Sequence, residues 1–293
     1  SAPMRVLVTG GAGSVGRAVV PELLRRGHTV TVAGRTPGRT VEGARYEVLD
    51  CTQFEAVRRL VLEHESVIHL AAIPSPRRHD SREIFEANCL STYYVFDACV
   101  EAGISKIALA SSINALGQLF GVRPLPVRYF PIDEDHPQLC TDPYSFSKKI
   151  LEETAEYFWQ RNGISSVSLR ITMVVHPGDH MWRRLHDVPN RDPMEQYMVR
   201  NYWTWVDARD SARAFVDGIE APYQGAHPLF INDSVNNMGM PSRQLAAMAY
   251  PEVTDFREPL DGTESLVSVR RAKEILGWEP QVHFPQESPP APE

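Results

Sequence analysis

An α/β chain on a doubly wound parallel sheet is the fold class that this sequence predicts, and three observations predict it. An apolar, β-branched run over residues 4–8 leads directly into Thr9-Gly10-Gly11-Ala12-Gly13-Ser14-Val15-Gly16, and from there into helical periodicity as far as Arg26. Further short apolar runs lie at 29–33, 46–49, 66–70, 106–110 and 166–171, each of a length that suits a buried strand. Helical patterns over 52–63, 82–102 and 144–161 separate them, and such alternation puts helices on both faces of a parallel sheet.

Taken in order, Gly27-His28 stops the first helix, and the strand at 29–33 completes a βαβ unit of about 30 residues. After Ile171 the regularity weakens. Pro, Gly, His, Trp and charged residues crowd 175–203, as expected of loops that cover a site. Beyond them, 207–220 reads as a helix and 229–232 as a short strand, and the helices at 242–249 and 269–276 belong to a small C-terminal lobe.

Composition narrows the function classes. With 43% apolar residues in 293, the chain can bury a core. A net charge of −7 and a pI near 5.8 leave no basic footprint, which sets nucleic acid aside. No apolar run approaches the roughly 20 residues of a membrane span, and Ser1-Ala2-Pro3-Met4 lacks the charged and apolar regions of a signal peptide. Cys51, Cys89, Cys99 and Cys140 are far apart and show no metal-ligand spacing. Reduced thiols and a cytoplasmic location are expected. His176 and His180 have no defined third ligand, so no metal is expected either.

Gly10, Gly13 and Gly16, set between a strand and a helix, have a physical task. The first permits a tight turn, the second lets backbone approach a pyrophosphate, and the third allows close helix–sheet packing at a helix N-terminus that attracts anions. A Rossmann-type dinucleotide-binding part over 4–172 follows, with a mainly substrate-binding lobe over 173–284 that sends segments back to the core, and a Pro-rich tail over 285–293. The end of the second strand carries Gly34-Arg35 where a carboxylate would select NAD. Arg35, with Arg39 as helper, can grip a 2′-phosphate, so NADP(H) is favoured over NAD(H). Asp50-Cys51 ends the third strand, where Asp50 either meets an adenine or caps the helix beginning near Gln53.

Tyr144 and Lys148 are four residues apart at the start of a predicted helix and so share a face; this Tyr-xxx-Lys spacing occurs once in the chain. A phenol titrates near 10 and is a weak acid or base at neutrality, but a neighbouring ammonium favours phenolate and draws that value down. Ser112, at the end of the run over 106–110, can hold a reacting oxygen while the tyrosine exchanges its proton.

These residues resemble the extended short-chain dehydrogenases, the NAD-dependent epimerase/dehydratase family of sugar-modifying enzymes. Carrying the resemblance are the glycine motif, the Ser112, Tyr144 and Lys148 set, His69-Leu70-Ala71-Ala72, Asn88, Leu169-Arg170, the run Trp205-Val206-Asp207-Ala208-Arg209-Asp210, and Arg271 through Pro280. It implies a cofactor cleft lined by Ser14, Val15, Leu70, Ala71, Ala72, Asn88 and Ile171, with Lys148 also on the nicotinamide ribose. It further implies a homodimer paired through the helices at 82–102 and 144–161, and substrate contacts from Ser75, Asn114, Met173 and His176. Departures narrow the chemistry: 4,6-dehydratases carry Asp-Glu where this chain has Ile113-Asn114, and sugar-acid decarboxylases carry glutamate in place of Asn114. Met173 replaces the family's asparagine and Leu116 its tyrosine, which argues against a nucleotide-sugar diphosphate. Tyr202-Trp203-Thr204-Trp205 resembles the uronate dehydrogenases, which oxidise free sugar acids. His180, Arg183, Arg184 and His186 are further cationic groups of the cover.

Three functions compete. The first is a dehydrogenase or reductase of a sugar, sugar acid or polyol that exchanges its cofactor at each turnover. The second is an epimerase that holds NAD tightly and returns its hydride to the opposite face. The third is a non-catalytic NAD(P)-binding sensor, against which retention of Ser112, Tyr144 and Lys148 argues.

Overall fold

The computed structural model describes residues 1–285. Its strands are β1 (Arg5–Thr9), β2 (Thr29–Gly34), β3 (Arg45–Val48), β4 (Ser66–His69), β5 (Lys106–Ser112), β6 (Ser165–Ile171), β7 (Val174–Val175), β8 (Val206–Asp207) and β9 (Ala226–Ile231). Its helices are α1 (Gly16–Arg25), α2 (Phe54–Val61), α3 (Ser81–Phe85), α4 (Ser91–Ala102), α5 (Pro143–Asn162), α6 (His180–His186), α7 (Gln196–Arg200), α8 (Ala208–Glu220), α9 (Ser242–Ala249) and α10 (Arg270–Leu276). A seven-stranded sheet in the order β3-β2-β1-β4-β5-β6-β9 forms the centre, every neighbouring pair parallel, and β7 pairs with β8 beside it.

Burial on both faces explains why these strands read as unbroken apolar runs. On one face, Val19, Val20 and Leu23 of α1 pack with Ala212, Phe215 and Val216 of α8 over Val6, Val8 and Val167. On the other, Val57 of α2, Val95 and Phe96 of α4, and Leu151, Ala155 and Phe158 of α5 cover Leu7, Val67, Ile107 and Leu109. The sheet order reverses between β1 and β4. A crevice therefore opens at the carboxyl ends of those two strands, which is where open α/β sheets bind ligands.

A third apolar cluster forms the lobe. Trp203, Trp205, Leu245, Tyr250 and Leu266 meet Phe130 and Ile132 there, together with Ile113, Leu116 and Val127, so this cluster recruits residues from before position 173. Asp233 knots it, accepting from Trp205 Nε1 at 2.9 Å and from the Phe284 amide at 2.9 Å, with His283 Nδ1 at 2.6 Å. The late motifs serve to return the chain to the sheet. Asp210 accepts the Gln281 and Val282 amides, both at 2.9 Å, while buried Trp278 donates to the Asp210 carbonyl.

Two expectations change. The helix expected over 82–102 is interrupted by a π-helical turn, Glu86–Leu90, which adds a residue between α3 and α4 and rotates the faces on either side. The segment over 175–203 is more ordered than the expected loops, since α6, α7 and a 3-10 turn at Val188–Asn190 lie within it. The expected Pro-rich tail over 285–293 falls outside the described residues, apart from Pro285.

Phe158 is fully buried and stacks on Phe96 at 5.0 Å between ring centroids, joining α5 to α4. Phe158→Ala is expected to cost about 3–5 kcal/mol of folding stability in urea unfolding. A loss below about 1 kcal/mol would contradict this packing.

Candidate functional site

The crevice is built from the glycine turn outward. Gly10 adopts φ +68°, and a Cβ there would lie 2.7 Å from the Ala71 nitrogen, so the turn after β1 runs against the loop after β4 as only glycine allows. Thr9 fixes that loop: its hydroxyl accepts the Leu70 and Ala71 amides at 3.1 and 3.3 Å and meets His69 Nδ1 at 2.6 Å. At Gly16 a Cβ would sit 2.1 Å from the Gly11 carbonyl oxygen. The third glycine therefore lets the turn close on itself at the start of α1, whose buried face packs on the sheet. Helix α1 begins with no side-chain cap and no acidic residue in its first turn, which leaves amides available to an anion.

Two hollows meet at Ala72. One, of about 190 Å³, is lined by Gly10, Arg35, Asp50, Cys51, Ala71 and Ala72, among others. The other, of about 230 Å³, holds Ser112, Tyr144 and Lys148, with Val15, Leu70, Asn114, Ile171 and Met173 in its walls. Gly13, Ser14 and Gly16 shape the intervening turn and line neither hollow.

At the first hollow, Gly34 has a structural reason to lack a side chain. A Cβ would lie 2.6 Å from the Tyr46 hydroxyl, which donates to the Thr36 carbonyl at 2.7 Å. Arg35 is exposed at the rim, whereas Arg39 lines a separate hollow beside α1. Asp50 accepts from the Thr52 amide and hydroxyl at 3.0 and 2.7 Å, while Gln53 holds the cap position of α2. The capping alternative for Asp50 is thereby set aside.

At the second hollow, α5 starts sharply because Asp142 accepts the Ser145 amide at 2.9 Å and Pro143 occupies the first turn. Tyr144 is thus held at the helix entrance, lining the hollow with Ser112 and met edge-on by Phe120 at 5.6 Å. Lys148 lies one turn on and donates to the Ala110 carbonyl at 2.7 Å, with its Nζ 5.6 Å from the Tyr144 ring centre. The pKa expectation needs correction. Burial pushes the phenol up to about 12, against a lowering by the neighbouring Ser112 hydroxyl. Burial also lowers Lys148 to about 8, opposed by the Glu152 carboxylate. In this arrangement desolvation outweighs the attraction expected from the lysine.

Three candidates lie elsewhere. Asn88, in the π turn, spends its amide on the Ile73 amide at 2.7 Å, the Ile73 carbonyl at 3.1 Å and the Ser147 hydroxyl at 3.1 Å, so it braces the cleft loop from behind. Ser75 accepts the Arg77 amide at 3.1 Å within its own turn. His176 sits against the glycine turn, 2.9 Å from the Ser14 carbonyl, and lines a groove outside the cleft. Nor does the uronate-like segment reach the cleft: Tyr202, Trp203 and Trp205 are core of the lobe. Of the cover cations, Arg184 pairs with Glu195, and His186 stacks on Trp182. Tyr197 and Asn201 escaped the sequence reading although they line the second hollow. Their four-residue spacing is the signal that was available, in a stretch without helical periodicity long enough to declare it. Among the described residues no group of three or more His, Cys, Asp or Glu gathers as a metal site, and no helix is long and apolar enough to cross a membrane.

With this geometry in place, comparison with known proteins is decisive at the level of family: the model of the NAD dependent epimerase/dehydratase family matches residues 6–232. The chain belongs to that family. It is an enzyme of the extended short-chain dehydrogenase type. It is 33% identical over 237 residues to an L-arabinose 1-dehydrogenase (NAD(P)(+)) of Haloferax volcanii, covering 78% of this chain and 87% of that protein. It is 28% identical to an NAD-dependent glucose-6-phosphate dehydrogenase of the same organism, over 87% of this chain and 98% of that one. A UDP-glucose 4-epimerase of Thermotoga maritima, solved with UDP-glucose, shares the fold at TM-score 0.69 and 22% identity, over 96% and 94% of the two chains.

Because the Asn88 amide holds both backbone groups of Ile73, Asn88→Ala leaves these half-buried groups to water or unpaired, at a cost of about 1 kcal/mol. Faster hydrogen exchange at the Ile73 amide is expected. Unchanged exchange there would show that the bracing is not supplied by Asn88.

Proposed function

We propose that this family member is an NAD(P)-dependent dehydrogenase or reductase of a small, unactivated, uncharged sugar or polyol, working through Ser112, Tyr144 and Lys148. The observation that carries the reading is the gathering of Ser112, Tyr144 and Lys148 in one hollow beside the glycine-turn crevice, with Lys148 held on the Ala110 carbonyl. At about 230 Å³ the reaction hollow falls below the roughly 300–1,000 Å³ usual for drug-sized ligands, which favours a monosaccharide over a nucleotide sugar. Among its lining residues the one charged side chain is Lys148. A carboxylate or phosphate would be buried there without a dedicated cation, so a neutral substrate is favoured over a sugar acid. The resemblance to an L-arabinose 1-dehydrogenase points the same way.

The residues fit a dinucleotide. The Gly10 turn and the uncapped start of α1 would take the pyrophosphate, and Asp50, Cys51 and Ala71 would flank the adenosine. Arg35 favours NADP(H) over NAD(H). When bound in its oxidised form, such a dinucleotide would supply the hydride acceptor, and a positive charge brought close to the phenol would favour phenolate. Ser112 holds the substrate oxygen, Tyr144 takes or returns its proton, and Lys148 supports the phenolate that forms. In the reducing direction a phenol at about 12 is protonated and ready to donate. Residues 4–172 then serve as the dinucleotide part and 173–284 mainly as the substrate lobe, in a cytoplasmic protein.

A homodimer is part of the proposal. Phe85, Tyr93, Phe146 and Tyr157 stand exposed on α3, α4 and α5, where Phe85 stacks on Phe146 and Tyr93 on Tyr157. Such a row of aromatic side chains suits an isologous contact.

A cofactor-reduction screen with both dinucleotides against neutral sugars, polyols, uronates and sugar phosphates is expected to give turnover with the neutral compounds and a preference for NADP. Tyr144→Phe should then lower kcat by about 10²–10⁴-fold. Full activity in that variant would end this mechanism, and stoichiometric NAD released on denaturation without net turnover would assign an epimerase instead. Phe146→Glu with Tyr157→Glu is expected to halve the mass seen by light scattering; an unchanged mass would remove α5 from the interface.

A further inference from the structure

The cleft residues rest on a buried charge pair that the proposed reaction does not itself use. Glu152 is on α5, one turn beyond Lys148 and two beyond Tyr144. Arg170 on β6 grips its carboxylate, Nε to Oε2 at 3.0 Å and Nη2 to Oε1 at 2.7 Å, with both side chains almost wholly buried. Ser111 donates to Oε2 at 2.7 Å, and Gln138, in the segment preceding α5, donates to Oε1 at 3.1 Å. Four donors fill the acceptor sites of one carboxylate. In the sheet, Ser111 and Arg170 are direct neighbours across β5 and β6.

Three consecutive residues of β5 thus meet α5 at successive turns. Ser112 lines the hollow with Tyr144, the Ala110 carbonyl receives Lys148, and the Ser111 hydroxyl is held by Glu152. The first two contacts involve residues of the cleft, and the third lies behind them. We propose that Glu152, clamped by Arg170, is a positioning residue: by holding Ser111 it fixes the strand end that offers a carbonyl to Lys148 and sets the Ser112 hydroxyl in the hollow with Tyr144. This rests on the roles given above to Ser112, Tyr144 and Lys148. Removing one partner of such a buried pair is costly because it strands the other charge, so the clamp resists displacement.

Glu152 also acts on the charge of Lys148. The groups around that ammonium are Tyr144 and Glu152 on its own helix, Cys89 in the π turn and His69 at the end of β4, with Arg170 behind Glu152. Burial lowers the ammonium to about 8 and Glu152 opposes that lowering, so without the carboxylate the lysine loses its proton at lower pH.

The test uses the full chain and two variants, Ser111→Ala, which keeps the ion pair, and Glu152→Gln, which keeps the shape. The chain has four lysines, Lys106, Lys148, Lys149 and Lys273, so NMR of labelled lysine follows the Lys148 titration without any turnover, with Lys148→Met for assignment. In Glu152→Gln the Lys148 midpoint is expected to fall by about one pH unit. Its kcat is expected to fall about tenfold or more, and that of Ser111→Ala about threefold, each with KM within about twofold, the pattern of lost transition-state positioning. An unmoved Lys148 titration, or wild-type kcat in both variants, overturns the proposal. If thermal melting shows Glu152→Gln unfolded, the kcat and KM of Ser111→Ala decide alone. Tyr144→Phe in the same assay separates the two levels: wild-type turnover there defeats the underlying reading, whereas its loss beside unaffected Ser111→Ala and Glu152→Gln defeats this inference only.

Discussion

The candidate site depends on how the first turns of α5 dock against the carboxyl end of β5, burying Ser111, Ser112, Tyr144 and Lys148 between them. Everything polar at that seam must be paired inside the protein, because an unpaired buried group costs about 1–3 kcal/mol. Much of the pairing is made: Ala110 takes the Lys148 ammonium and Glu152 the Ser111 hydroxyl and the Arg170 guanidinium, with the side chain of Arg170 against the Phe230 ring at 5.0 Å. The helix can approach so closely only because Asp142 and Pro143 set its start. The same burial governs the electrostatics of the site. It raises the phenol and lowers the ammonium, so each group is biased toward its neutral form until charge arrives from outside.

Around that seam, the parts follow from the sheet. Seven parallel strands buried on both faces have their ligand crevice where the strand order reverses, and the glycine turn, the loop fixed by Thr9 and the entrance of α5 all open onto it. The lobe closes the far side. Its cohesion comes from aromatic packing around Phe130, Trp203 and Tyr250 and from the Asp233 knot, which explains why its tryptophans serve packing and leave the wall of the hollow to Met173, Tyr197 and Asn201.

Much of this was legible in the residues because period and punctuation report directly on burial. The runs at 29–33 and 106–110 lie within observed strands, and Tyr144 and Lys148, read four apart on one helix, face the hollow that Ser112 enters. What could not be read is where long-range partners come from. The π turn at Glu86–Leu90 leaves no periodic trace in so short a stretch, yet it lets Asn88 reach both Ile73 and Ser147. His176 has the chemistry of a ligand group but is drawn to the Ser14 carbonyl, and only the tertiary fold decides that. The direction of the Tyr144 shift was misjudged for a related reason: spacing reveals a neighbour, whereas the loss of water around it is a property of the assembled core.

Tyr46 carries one more consequence. Its hydroxyl fills the space above Gly34 and is anchored on the Thr36 carbonyl, so a carboxylate introduced at Gly34 collides with it before it can meet any ribose. Placing a carboxylate at that rim is therefore a coupled change: a side chain at position 34 needs the Tyr46 hydroxyl to leave the space it fills and with it the Thr36 carbonyl.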